Sequence, residues 1–236
     1  MFQNEMVILN ELESIVNKES KLARIATLPI KPLINMCDDV YSAISTIKNK
    51  KDWLKFGSTL AVCAPIYTIA HEGLHALVAK MFGAYNFEMG INSMFGGELI
   101  KKALPSLRTD PEFLEGAYGM LRYNIELTDL TAFNNALVCY APYTMTFLGV
   151  YLLHQGIKKK SSVLKALGIA SIINLVNGAL AYTGDLSKIN TNFIEGTGML
   201  LDNLRISANL LLASGTYMIS TKISQGINYL MGRKNE

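Results

Sequence analysis

The sequence predicts an all-α membrane protein, with three core transmembrane helices, a fourth span, short membrane-associated strands after the first span, and amphipathic N-terminal helices. Three observations lead there. Half of the 236 residues are hydrophobic and only 17% are charged, whereas soluble domains usually carry about 25% charged residues. Long apolar runs alternate with short lysine clusters. One of those runs also holds two histidines and a glutamate, in "IAHEGLHALVA" at 69–79, side chains that are expensive to place in an apolar segment.

Residues 1–55 form an amphipathic helical extension. Met6, Leu9, Leu12 and Val16 fall on one helical stripe, and Ile34, Cys37, Tyr41, Ile44 and Ile47 on a second, with Pro29 and Pro32 marking a break between them. Neither helix is apolar enough to span a bilayer, so both are expected to pack on the membrane domain, on a protein partner or on the lipid surface. The opening "MFQNEMVILNELESIVNKES" has no basic region followed by an apolar core, so no cleaved signal peptide is expected.

Residues 56–236 form the transmembrane domain, with spans at about 56–79, 131–157, 164–184 and 206–226. From Phe56 to Ala79 the only acids, lysines, arginines or histidines are His71, Glu72 and His75. From Leu130 to Ile157 there is no Asp, Glu, Lys or Arg, and "KKK" at 158–160 ends the run. The third run ends at Asp185. The fourth is rich in Ser and Asn and spans only if Lys222 snorkels or the helix continues through "ISQGINYLM". A soluble helical protein with buried helices is the alternative. It fits poorly with "FNNALVCYAPYTMTFLGVYLL", which is apolar around most of the helix rather than along one stripe.

Lys48, Lys50, Lys51 and Lys55 precede the first span, Lys158–Lys160 separate the second from the third, and "RKNE" ends the sequence. Four spans place all three clusters on one side, which the positive-inside rule makes cytoplasmic, together with both termini. The loop 80–129 then faces the other side. Its start, "FGAYNFEMGINSMFGGE", reads as one or two short strands or a re-entrant hairpin. "RTDPEFLEGAYGMLRY" reads as a short helix capped by Asp110 before Pro111.

A net charge of +3, with no basic run interleaved with aromatics, gives no reason to expect nucleic acid as a partner. Cys37, Cys63 and Cys139 lie far apart and read as reduced, buried thiols rather than disulfides or zinc ligands. His154 reads as an interfacial histidine, Asn174 as a helix–helix hydrogen-bonding residue, and the tyrosines and Trp53 near span ends as an aromatic belt.

His71 and His75 are four residues apart, so on a helix they stack on one face and can share a metal ion. Glu72 lies beside them, where a carboxylate can hold a bound water and take its proton. Zinc suits this donor set and lowers the pKa of bound water to about 7. Two histidines need a third ligand. Val78 and Met81 occupy the places where an extended metzincin pattern puts glycine and histidine. Glu98, Glu112, Glu115 and Glu126 all lie in the outer loop. Asp185 is better placed: the first and third spans both run outward from the lysine side, and the third ends at Asp185, level with the histidines.

Three stretches carry a family resemblance. "HEGLHALVAKMFGA" resembles the active-site helix of the site-2 protease family of intramembrane zinc metalloproteases. "YAPYTMTFLGVYLL", opening with Ala141 and Pro142, is similar to that family's second core helix. "NGALAYTGD" resembles the third, in which an asparagine precedes the zinc-binding aspartate as Asn177 precedes Asp185. The resemblance covers about residues 56–190 and leaves 1–55 without a counterpart. It implies a three-helix metalloprotease core, with zinc on His71, His75 and Asp185, Glu72 as catalytic base, and Asn177 steadying substrate or oxyanion. It also implies a membrane-associated sheet in the glycine-rich loop.

The expected function is thus an integral, multi-pass zinc metalloendopeptidase acting on membrane-embedded or membrane-proximal protein or peptide substrates. The alternative is a zinc-binding, non-proteolytic membrane scaffold or assembly subunit that holds a protein partner through residues 1–55.

Overall fold

The computed structural model describes residues 30–115, 117–126, 131–180, 184–191 and 199–232. These residues are mostly helical, with one small two-stranded sheet. The expected stripe at Met6–Val16 lies outside them.

Helix α1 (Ile30–Ser45) buries Met36 and Ala43, with Leu33, Val40 and Ile44 packed beside them and Ile47 just beyond its end. Cys37 and Tyr41 are exposed, so the buried face is rotated from the expected Ile34–Cys37–Tyr41 stripe. Apolar residues occupy adjacent faces of α1, and spacing alone could not choose between them. Pro32 sits in the first helical turn rather than breaking the helix, a position where no intrahelical N–H bond is lost. Of the three thiols expected to be buried, Cys63 and Cys139 are buried and Cys37 is not.

Asn49 caps helix α2 (Lys50–Met81), its side chain accepting from the Asp52 amide at 2.8 Å. Thirty-two residues at 1.5 Å each make α2 about 48 Å long, with Pro65 inside it. Gly96 of the following loop packs on that proline: a Cβ there would lie 3.1 Å from Pro65 Cβ. Strand β1 (Tyr85–Ile91) pairs antiparallel with β2 (Gly119–Asn124), with a bulge between Tyr85 and Glu88. The second strand thus comes from the segment expected to continue the short capped helix. Between the strands lie α3 (Gly97–Lys101) and α4 (Pro111–Leu114), the latter capped as expected by Asp110, which accepts from the Phe113 amide at 2.8 Å. The other edge of β1 is held by the Arg108 backbone, bonded to Met89 and Ile91. Among the described residues the far edge of β2 pairs with no strand.

Helix α5 (Ala132–Tyr140) passes through a 3-10 turn at Ala141–Thr144, containing Pro142, into α6 (Met145–Lys158). Helix α7 (Ser162–Leu180) returns antiparallel against it. Two glycines allow this close crossing: a Cβ on Gly168 would lie 2.5 Å from Leu153 Cβ and 2.7 Å from the Gly149 carbonyl oxygen, and a Cβ on Gly149 would strike Ser171. Asp185 is the first residue of helix α8 (Asp185–Thr191), so it opens a short helix rather than ending the long one. Helix α9 (Met199–Gly232) lies along α6 and α7.

Among the described residues two helical runs are long and apolar enough to cross a membrane, Ala132–Lys158 and Ser162–Leu180. The other two expected spans fall inside α2 and α9, whose apolar content is diluted by lysines and the histidine pair in one and by buried Asn209, Thr216, Ser220 and Ser224 in the other. His154, expected at a membrane interface, ties three helices together. Its Nε2 donates to Asp39 Oδ2 at 3.0 Å, its Nδ1 lies 2.8 Å from Ser224 Oγ, and the Tyr217 hydroxyl donates to the same Asp39 oxygen. Burial pushes the Asp39 carboxyl up, but the bonds from His154 and Tyr217 outweigh it and hold it below the ordinary aspartate range.

Candidate metal centre

Helical spacing places His71 and His75 on one face of α2, their rings 4.8 Å apart and close to perpendicular. Asp185, the first residue of α8, reaches that face. Its Oδ2 lies 2.9 Å from His71 Nε2 and 3.1 Å from His75 Nε2, and the two Nε2 atoms are 3.2 Å apart. The three atoms form a nearly equilateral triangle. A tetrahedral zinc ion with bonds of about 2.0–2.1 Å holds its ligand atoms about 3.3 Å apart, so this triangle is close to one face of such a tetrahedron. The trio can hold a metal ion, and its nitrogen–oxygen donor set suits zinc.

The surroundings orient the donors. His75 Nδ1 donates to the Val138 carbonyl at 2.7 Å, which leaves its Nε2 lone pair aimed into the triangle in the neutral ring. His71 Nδ1 is buried with no hydrogen-bond partner among the described residues, and its ring packs edge-on against Tyr143 at 6.0 Å. Asp185 divides its two oxygens: Oδ2 faces the histidines, while Oδ1 takes the Lys188 ammonium at 3.2 Å.

Glu72 is buried one residue along from His71, in the same cavity of about 750 Å³. Strand β2 forms its roof. A Cβ on Gly119 would lie 2.7 Å from Glu72 Oε1 and 2.6 Å from Thr68 Cγ2, so only glycine lets the strand pass this close. Asn177 and Asn174 both line the cavity, as do Tyr143, Cys139 and Lys188. His71, Glu72, His75, Asp185 and Asn177 are thus all brought to one cavity. The loop glutamates Glu98, Glu112 and Glu126 do not line it, and Glu115, which does, pairs with Arg122 at 2.7 Å. Asn174 makes its wall rather than a visible helix–helix bond.

Lys188 and Gly119 were not singled out by sequence reasoning. Lys188 stands three residues after Asp185 on a helix and so faces it, a relation that could have been read from spacing. Nothing local marks Gly119, because its role depends on which strand crosses α2. Comparison of the chain with protein-family models, curated proteins and solved structures finds no match.

Proposed function

We propose that this chain is an integral-membrane zinc metalloendopeptidase of the site-2 protease type, hydrolysing peptide bonds of membrane-embedded or membrane-proximal substrates. The observation that carries this is the convergence of His71, His75 and Asp185 beside the buried carboxylate of Glu72, in a cavity roofed by a strand. Four spans are part of the proposal, formed by residues within α2, α5–α6, α7 and α9, with the lysine clusters and both termini on the cytoplasmic side.

A zinc ion on these three ligands would supply a Lewis acid for the scissile carbonyl and lower the pKa of water. Glu72 takes the proton of the attacking water and passes it to the leaving amine. His75, fixed by the Val138 carbonyl, and Asp185, fixed by Lys188, hold their donor atoms in place with little freedom to lose. Asn177, on the cavity wall, is placed to hydrogen-bond substrate or oxyanion. A substrate helix must unwind to react, since helical carbonyls already accept hydrogen bonds. Strand β2 passes over Glu72 at Gly119, and its far edge, which pairs with no strand among the described residues, offers backbone groups to such an extended segment.

The test reconstitutes the protein in liposomes with a library of transmembrane peptides and reads cleavage by mass spectrometry. Wild type cleaves; Glu72→Gln binds zinc equally and does not. Cleavage retained by Glu72→Gln would remove Glu72 from the mechanism. Zinc bound without cleavage by wild type would leave the scaffold function in its place.

A further inference from the structure

Lys158, Lys159 and Lys160 occupy one tight turn between α6 and α7, all three exposed. The turn closes as a Schellman motif: the Ser161 amide donates to the Gly156 carbonyl at 2.9 Å and the Lys160 amide to the Ile157 carbonyl at 3.3 Å. Lys160 takes the left-handed position, with φ of 54°, where glycine is the usual residue. Two unfavourable features therefore coincide here, a lysine in a glycine conformation and three like charges within one turn. Observed backbone strain of this kind is a pointer to function.

A second lysine cluster is stitched to the first. Lys165, in the first turns of α7, donates to Thr46 Oγ1 at 2.8 Å, and Thr46 immediately precedes the α1–α2 corner, where Lys48, Lys50 and Lys51 are exposed. Trp53 and Leu54, 47% and 73% exposed, flank that corner with apolar surface. Among the described residues Asp52 is the acid acting on Lys165, and it is engaged by Asn49 at 2.8 Å.

We propose that the Lys158–Lys160 turn and the Lys48–Lys51 corner together bind the phosphate headgroup of an anionic phospholipid. The headgroup neutralises the crowded ammonium groups while its acyl chains meet Trp53 and Leu54. A lipid is favoured over a free anion because both helices that meet in this turn are long and apolar enough to cross a membrane, which puts the lysines at headgroup level. The inference rests on the membrane reading of the chain and is independent of the metal centre.

The test measures thermal midpoints of the full chain in nanodiscs of phosphatidylcholine, with and without phosphatidylglycerol. Wild type is expected to gain a few degrees from phosphatidylglycerol and to lose that gain at high salt. Lys160→Gly separates structure from binding: relief of strain raises its midpoint in phosphatidylcholine, while the gain from phosphatidylglycerol shrinks. Lys158→Gln/Lys159→Gln also loses the gain. No gain in wild type, or an undiminished gain in these variants, overturns the site. A lowered midpoint for Lys160→Gly in phosphatidylcholine overturns the strain argument. If inorganic phosphate added to phosphatidylcholine discs reproduces the gain, the ligand is a free anion and not a lipid. Failure of wild type to enter either disc overturns the membrane reading itself, and this site with it.

Discussion

His71 Nε2 and Asp185 Oδ2 lie 2.9 Å apart although 114 residues separate them in sequence. Neither neighbour in the chain explains that contact. It exists because α2 and α7 pack against each other and the first residue of α8 faces the histidine side of α2.

Metal content tests the contact directly. Purified wild type is expected to hold stoichiometric zinc, and Asp185→Ala and His75→Ala to bind it far more weakly. The loss should exceed the roughly 10–100-fold cost of removing an outer-shell partner. Mass spectrometry after exhaustive dialysis reads this. Full retention in Asp185→Ala would exclude it as a ligand and return attention to the loop glutamates.

Gly119→Ala puts a methyl group within 2.7 Å of Glu72 Oε1. Strand or carboxylate must move, at a cost of about 1–3 kcal/mol. The expected variant keeps its zinc and loses peptide cleavage by about fivefold or more, at one decade per 1.4 kcal/mol. Equal loss of zinc and cleavage would mean that the strand supports the metal ligands rather than Glu72.

His154 and Asp39 form a coupled pair between α1 and the long helices. Replacing His154 by Leu leaves a half-buried carboxylate whose remaining partner among the described residues is Tyr217, and should cost about 1–2 kcal/mol. Replacing Asp39 by Asn as well should recover part of that loss. A double-mutant cycle on chemical unfolding reads the coupling; additive effects would show that the two side chains do not interact in solution.

The crossing of α6 and α7 leaves no room at Gly168, where a Cβ already falls 2.5 Å from Leu153 Cβ. Gly168→Leu should lower the thermal midpoint strongly, by separating the helices or breaking the fold. Gly57→Leu is the control, since a Cβ at Gly57 meets nothing within 4 Å. Equal tolerance at both positions would contradict the close crossing.

Arg108 bonds to Asp110 at 2.8 Å and, aided by the Phe113 amide, holds its carboxyl down at about 2. A depressed folded-state pKa stabilises the loop fully above the unfolded value, near 3.9, and that contribution fades as pH falls toward about 2. Asp110→Asn should remove this acid dependence from hydrogen exchange of the loop amides. Carbon-detected titration of Asp110 with a midpoint near 4 would show the pair to be broken in solution.

Much of the helical plan was legible because it is written in local spacing. Lysine-bounded apolar runs mark the helix pair α6–α7, and Asp110–Pro111 marks a short capped helix. The spacing of His71 and His75 likewise shows one helix face. Where apolar residues fill two neighbouring faces, as in α1, spacing misplaced the buried stripe, because only the partner helices decide which face is covered. The pairing of β1 with β2 was equally hidden, since the strands are far apart in sequence and each is short.

The sequence by itself determined that two imidazoles and a carboxylate would share a helix turn within apolar surroundings, because helical periodicity is a property of neighbours. Of the four spans it led us to expect, two are membrane-length apolar helices among the described residues, because composition and length are additive along the chain. Only the tertiary structure decided that Asp185 closes the metal triangle, that β2 roofs Glu72 and that His154 pairs with Asp39. Those relations depend on which helices and strands cross and at what depth, and they are set by packing between segments distant in sequence.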